Sequence, residues 1–291
     1  MKSTRSLILA GLMAAPLAAE MPLIVDDLAI IASFEDEAAV WAEDEEVPRL
    51  EEVLATLKKP VGLDALQVGQ APERVEDAIY SISAVYDCGK CDKWHAAGFA
   101  TAWAIGQDGV FCTNYHVFAG MKGEMAAVVS VTGEVYPITE VLLADKLNDI
   151  AIFRARAEGI STLPIVKEPE PVGAPVYCVS HPDRRFYTHT YGEISRYYFK
   201  RTNKRKAPKV PFMAITADYA RGSSGGPILN SHNEVVGIVS NTSGIKYGKK
   251  GQRGEDVLQM VIKNCIPAFK IQELLSSGAE SESSQEAAET S

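Results

Sequence analysis

The sequence predicts an all-β fold of two packed sheets or barrels, and three observations carry that prediction. Short apolar and β-branched runs recur from about Ser81 onward, each closed by a turn signal. Segments with a helical period stand mainly before and after that stretch. The β-patterned stretch is roughly 190 residues long, too long for one small barrel and suited to two packed sheets or two barrels. Hydrophobic residues at 46% and aromatics at 8% are ordinary for a soluble globular protein, so a core can form despite a net charge of −9.

In chain order, Lys2 and Arg5 precede the apolar run "LILAGLMAAPLAA". A positive start, a short apolar stretch and a small-residue end have the form of a secretory signal, too short and Ala-rich for a membrane span. The expectation is a signal peptide over 1–19, cleaved after Ala19, and an exported (periplasmic or extracellular) chain without a stable membrane span. An uncleaved anchor is the alternative. Residues 20–80 follow as an acidic, partly helical extension. From Glu20 to Leu57 there are 12 acidic residues and one basic, Arg49. Val47, Leu50, Val53, Leu54 and Leu57 recur at helical spacing, predicting one helix, and a second is expected near Pro72 to Tyr80. A propeptide and an extension packed on the domain both fit this segment. With the signal and acidic ends set aside, residues 58–275 carry about +4, and the acidic extension is a candidate to lie over that region and restrain it.

The runs "FATAWAI", "VFCTN", "AAVVSV", "DIAIF", "APVYCVS", "VPFMAIT", "EVVGIVS" and "LQMVI" read as strands. "IPAFKIQELLSS" reads as a closing helix from Pro267, and 277–291 as a disordered acidic tail. The stretch from Arg196 to Lys209 holds seven basic residues and no acidic one. It reads as a solvated loop, or as a guide for acidic substrates, and no nucleic-acid partner is expected. Of the five cysteines, Cys112 and Cys178 sit in apolar runs and are expected in the core. Cys88 and Cys91 form C-x-x-C, read as a local disulfide or plain thiols. A zinc site there needs two more ligands; His95 offers one and a fourth is not evident, so no metal is expected.

The chemistry centres on "GSSGGPIL". A serine hydroxyl attacks a carbonyl only with a base in hydrogen-bond reach and donors aimed at the developing oxyanion. Glycines permit a turn whose N–H groups converge, but a Ser/Gly/Pro cluster alone is a common loop. Among five histidines, His116 in "TNYHV" stands out, placed at a strand end where it can reach a cleft. Asp149 in "NDIAIF", at the mouth of an apolar run, is better placed than Asp145 to orient that imidazole.

Together "TNYHV", "NDIAIF" and "GSSGGPIL" resemble the three catalytic motifs of chymotrypsin-fold serine peptidases, in the order His, Asp, Ser. The bacterial trypsin-like branch that includes the HtrA/Deg proteases is the nearest likeness, over roughly Val85 to Val261. The resemblance implies two six-stranded barrels, at about 81–165 and 170–265, in a peptidase domain over 81–276. It implies His116 as general base, Asp149 as its orienting acid and Ser224 rather than Ser223 as nucleophile. Gly222 and Ser224 would supply the oxyanion N–H groups, and Val239, Ser240 and Asn241 in "GIVSN" would pair with an extended polypeptide substrate. Asp218, six residues before Ser224, stands where digestive relatives select basic side chains. No cofactor is required. With 67 residues after Ser224, no PDZ domain is expected. The implied activity is that of a serine endopeptidase; the alternative is a peptide-binding or scaffolding pseudoprotease with weak or regulated catalysis.

Overall fold

The computed structural model describes residues 22–63, 66–200, 208–247 and 257–277. The signal at 1–19, most of the acidic tail and the middle of the basic loop therefore lie outside the described residues. No helix among the described residues is long and apolar enough to cross a membrane.

Helix α1 (Asp27–Glu43) starts where Asp26 accepts the N–H groups of Leu28 and Ala29 at 3.1 and 3.0 Å. Asp27 in its first turn complements the helix dipole. Ile30, Phe34, Ala38 and Ala42 fall four apart and form its buried face. Helix α2 (Leu50–Lys58) is opened by Glu52, whose carboxylate takes the Arg49 N–H at 2.7 Å, and buries Leu50, Val53 and Leu57. The predicted helix near Pro72 to Tyr80 is instead a single 3₁₀ turn, Val75–Ala78, leading straight into a strand. Three residues of apolar pattern before a β-branched run are too few to sustain a helix.

The first barrel closes through β1 (Ile79–Asp87), β3 (Ala100–Gly106), β4 (Val110–Thr113), β7 (Ile150–Ala155), β6 (Val135–Asp145) and β5 (Met125–Val129), which returns to β1. A short β2 (Trp94–Ala96) pairs with the outer end of β1. Residues 79–85 of β1 are buried without interruption. Alternation sends Ile79 and Val85 to a cluster shared with α1, and Tyr80, Ile82 and Ala84 to one shared with α2. Covered on both faces, such a strand loses the in–out pattern by which sequence alone would reveal it.

The second barrel has the order β10 (Pro211–Ile215), β13 (Val257–Pro267), β12 (Val235–Tyr247), β11 (Pro227–Leu229), β8 (Pro175–Ser180), β9 (Thr188–Phe199). Cys178, Ile194, Met213, Val239 and Cys265 fill its core. The outer halves of β12 and β13 remain paired as far as Tyr247 and Val257, beyond the buried part of the barrel. Helix α4 (268–277) closes the described chain, as the Pro267 signal predicts. The two barrels pack as predicted, and the segment between them is tied to both: Leu163 N–H donates to Ala104 O at 3.0 Å and Val166 N–H to Val235 O at 3.1 Å.

Helix α1 reaches the rim of the inter-barrel cleft without covering it. Phe34 meets Phe99 edge-on at 5.2 Å, and Phe99 meets Phe186 at 5.2 Å. Asp27 accepts the Phe186 N–H at 2.8 Å. No described residue of the acidic extension lines the cleft.

Candidate active site

An open cleft of about 760 Å³ runs between the barrels, with His116 and Ser224 on its floor and Ala97, Phe99, Arg184 and Arg221 among its walls. His116 stands in the first turn of helix α3 (Tyr115–Gly120), immediately after β4. Asp149 precedes β7 at φ 60°, a left-handed backbone that few non-glycine residues adopt. The turn before it holds that conformation. Asp145 accepts the Leu147 and Asn148 N–H groups at 2.8 and 2.9 Å, and Asn114 Nδ2 donates to Asp149 O at 3.0 Å. Asp145 therefore shapes the turn, and Asp149 is the carboxylate that faces the histidine.

Three groups meet in one line. Asp149 Oδ2 lies 2.8 Å from His116 Nδ1, and His116 Nε2 lies 3.0 Å from Ser224 Oγ. Asp149 Oδ1 also takes the His116 backbone N–H at 2.9 Å, and Ser240 Oγ donates to Asp149 Oδ2 at 3.1 Å. So the carboxylate is bound by the imidazole, a backbone amide and a hydroxyl. It is 22% exposed against 47% for the imidazole. An imidazole bonded at Nδ1 to a carboxylate presents its Nε2 lone pair to a hydroxyl, the tautomer that base catalysis needs.

The two serines have different surroundings. Ser223 is fully buried and its Oγ takes a hydrogen bond from Ser180 Oγ at 2.9 Å. Its N–H is spent on Ala220 O at 3.1 Å. Among the described residues no protein acceptor takes the N–H of Gly222 or Ser224, which leaves both free to face a carbonyl oxygen. The first barrel fixes this turn: Thr101 N–H donates to Ser224 O at 2.9 Å and Thr101 Oγ1 to Gly222 O at 3.0 Å. Gly225 has φ 82°, and a Cβ there would overlap Thr113 Oγ1 and Thr101 O. Gly222, at φ 98°, backs onto the His181 carbonyl in the same way.

The substrate-facing residues divide. Val239 is buried, and both its backbone groups are used: N–H to Gly226 O at 2.9 Å, O from Gly225 N–H at 3.1 Å. Ser240 is the extra residue of a bulge, paired with nothing on β13, and Asn241 is exposed. The backbone of Val239 is thus spent within the barrel, while Ser240 is left out of the pairing with β13. Asp218 lies outside the cleft lining. Its exposed carboxylate is ion-paired with Lys263, which holds it below the usual carboxylate range. The sequence motifs did not disclose the Ser240–Asp149 bond, the Asn114 brace or the cationic rim of Lys122, Arg184 and Arg221. Each depends on which distant segments meet.

His181, in the turn before Pro182, is fully buried, and burial depresses its pKa to about 3. Its Nδ1 accepts the Tyr187 N–H at 3.1 Å, while Nε2 lies beside the Tyr80 carbonyl without a well-formed bond. The unfolded chain takes up this proton near pH 6.5, and the folded chain refuses it down to about pH 3. Stability from the neutral ring is therefore complete above pH 6.5 and falls by about 1.4 kcal/mol per pH unit below it. Urea midpoints of the wild type should drop more steeply between pH 6.5 and 4 than those of His181→Gln.

Residues 100–238 match the family model of the trypsin-like peptidase domain. A probable periplasmic serine endoprotease, DegP-like, of Hahella chejuensis is 29% identical over 149 residues, 50% of this chain and 30% of that protein. Its counterpart in Ectopseudomonas mendocina is 30% identical over 146 residues, again 50% and 30%. The serine endoprotease DegS of Haemophilus influenzae is 27% identical over 135 residues, 46% of this chain and 38% of that one. The chain thus spans about a third of the length of these relatives. The crystal structure of the serine endoprotease from Yersinia pestis superposes with a TM-score of 0.51 at 19% identity, covering 71% of this chain and 64% of that one, a likeness of fold. Residues 100–238 are thus similar to a trypsin-like peptidase domain, and the two barrels have the chymotrypsin-like fold.

Proposed function

We propose that this protein is an exported serine endopeptidase that cleaves polypeptides through an acyl-enzyme on Ser224. The observation that carries the reading is the unbroken Asp149–His116–Ser224 chain, with contacts of 2.8 and 3.0 Å. His116 Nε2 removes the Ser224 proton as Oγ attacks, Asp149 steadies the imidazolium, and the proton passes to the leaving amine. The N–H groups of Gly222 and Ser224 receive the oxyanion, each worth about 2.7–4 kcal/mol of barrier. Water, deprotonated by His116, then releases the acyl group. Export rests on the N-terminal signal pattern and on the periplasmic relatives. An intact, hydrogen-bonded triad favours turnover over the scaffolding alternative. The test is labelling with a serine-reactive fluorophosphonate: wild type and Ser223→Ala label, Ser224→Ala does not. Equal labelling of wild type and Ser224→Ala would sink the assignment.

Selection of basic side chains has no support in the charge at Asp218, because Lys263 already neutralises it. Asp218→Asn should leave the shares of Arg and Lys at the cleaved position unchanged within twofold in a peptide-library profile. A selective loss of Arg and Lys cleavage would restore Asp218 as a specificity residue.

A further inference from the structure

The first hairpin carries a cluster that the catalytic line does not use. β1 ends at Asp87 and β2 begins at Trp94, so Cys88 and Cys91 occupy the connecting turn. Asp87 Oδ1 takes the Gly89 N–H at 2.7 Å, and Gly89 adopts φ 64° in open space. This tight turn brings Cys88 Sγ within 3.4 Å of Cys91 Sγ. His95 comes from β2, where it pairs with Tyr86 and lies 5.8 Å from that ring. Its Nε2 is 3.1 Å from Cys91 Sγ, and all three donor atoms lie within 4.8 Å of one another.

We propose that Cys88, Cys91 and His95 form a zinc site with an exchangeable fourth position. Two thiolates and an imidazole are the donor set that zinc takes in tetrahedral geometry. Zinc–sulfur bonds of ~2.3 Å and a zinc–nitrogen bond of ~2.05 Å set tetrahedral edges of roughly 3.8 Å for S···S and 3.55 Å for S···N. The Cys88–Cys91 and Cys91–His95 edges, now 3.4 and 3.1 Å, need to open by only about 0.4 Å each to reach those values. Cys88 and Cys91 are also the accessible cysteines; Cys112, Cys178 and Cys265 are buried. Binding would release both thiol protons to solvent, leaving a neutral ZnS₂N unit, and water would take the fourth place. A simple disulfide would give His95 no part, whereas its Nε2 points at the sulfurs.

The position gives the metal a mechanical consequence. β2 runs directly into Ala97, Gly98 and Phe99 of the cleft wall, and the Ala96 N–H is held by Glu35 of α1 at 2.9 Å. Zinc would staple the hairpin that carries this wall. The inference stands apart from the peptidase reading, and its test reads metal alone.

The full chain, kept reduced and stripped with a chelator, is titrated with Co²⁺. One equivalent should produce a thiolate-to-cobalt charge-transfer band that Zn²⁺ abolishes. Cys88→Ser and Cys91→Ser should lose the band, and His95→Gln should weaken binding by at least ~10–100-fold, the loss typical of even an outer partner. Absence of the band in the wild type overturns the proposal. So does a band that survives in the double cysteine variant, or a Cys88–Cys91 disulfide without zinc in protein isolated without reductant. Should a variant fail to fold, zinc must still protect Cys88 and Cys91 of the wild type from iodoacetamide; equal alkylation rates with and without zinc also overturn it.

Discussion

Ser224→Ala is expected to lower kcat on a cleavable peptide by about 10⁶-fold while leaving the thermal midpoint nearly unchanged. The size follows from the unit that the residue completes. A triad acts as one device, so removing the nucleophile costs about as much as removing all of it. His116→Ala should fall in the same range, and the double variant should be little worse than either single one. Stability should hold because the Ser224 side chain meets the cleft and, among the described residues, bonds only to His116. Ser223→Ala gives the opposite pattern: it loses the Ser180–Ser223 bond, worth about 1 kcal/mol, and retains catalysis. Steady-state kinetics and thermal melts on the wild type and the four variants separate these outcomes. Inactivity of Ser223→Ala with full activity of Ser224→Ala would reverse the assignment.

Gly225→Ala should do its damage by a different route, through stability first and rate second. The new methyl group meets Thr113 Oγ1 and the Thr101 carbonyl, and the residue must hold φ 82°. Left-handed backbone costs a residue with a Cβ about 1–3 kcal/mol, and the overlap with packed backbone adds a similar amount. A destabilisation of at least ~3 kcal/mol is expected by urea unfolding. The turn can relieve the clash only by moving away from the first barrel. That movement carries Ser224 Oγ off His116 Nε2, now 3.0 Å away, and a displacement near 1 Å costs ~10²-fold in rate. Wild-type kcat with wild-type stability would show that the turn has slack these contacts do not suggest.

The sequence motifs singled out His116, Asp149 and Ser224, which the fold brings together, because each sits beside a short signal: a strand end, a turn and a glycine cluster. The β pattern predicted two packed sheets or two barrels, and the resemblance chose barrels. The pattern overlooked β1, whose residues are covered on both faces, and α1, whose apolar positions are diluted by acidic neighbours. The histidine's helix was missed because "YHVFAG" is short and apolar, and six residues give little period to read. Val239 was placed on a substrate edge by its neighbourhood in "GIVSN", and the pairing of its N–H and O with Gly226 and Gly225 could not be foreseen. Such bonds join segments far apart in the chain. Asp218 is the same case: its partner Lys263 comes from another strand.

The bonds from Thr101 to Gly222 and Ser224 make the nucleophile's posture a report on assembly. In the proposed mechanism base and acid come from the first barrel, nucleophile from the second. A chain emerging in order therefore carries a ready imidazole long before it has anything to activate. It gains its cutting edge only when the later half docks and Thr101 closes on the turn. Immaturity is its own safety catch: a half-built molecule lacks the means to attack itself or its neighbours.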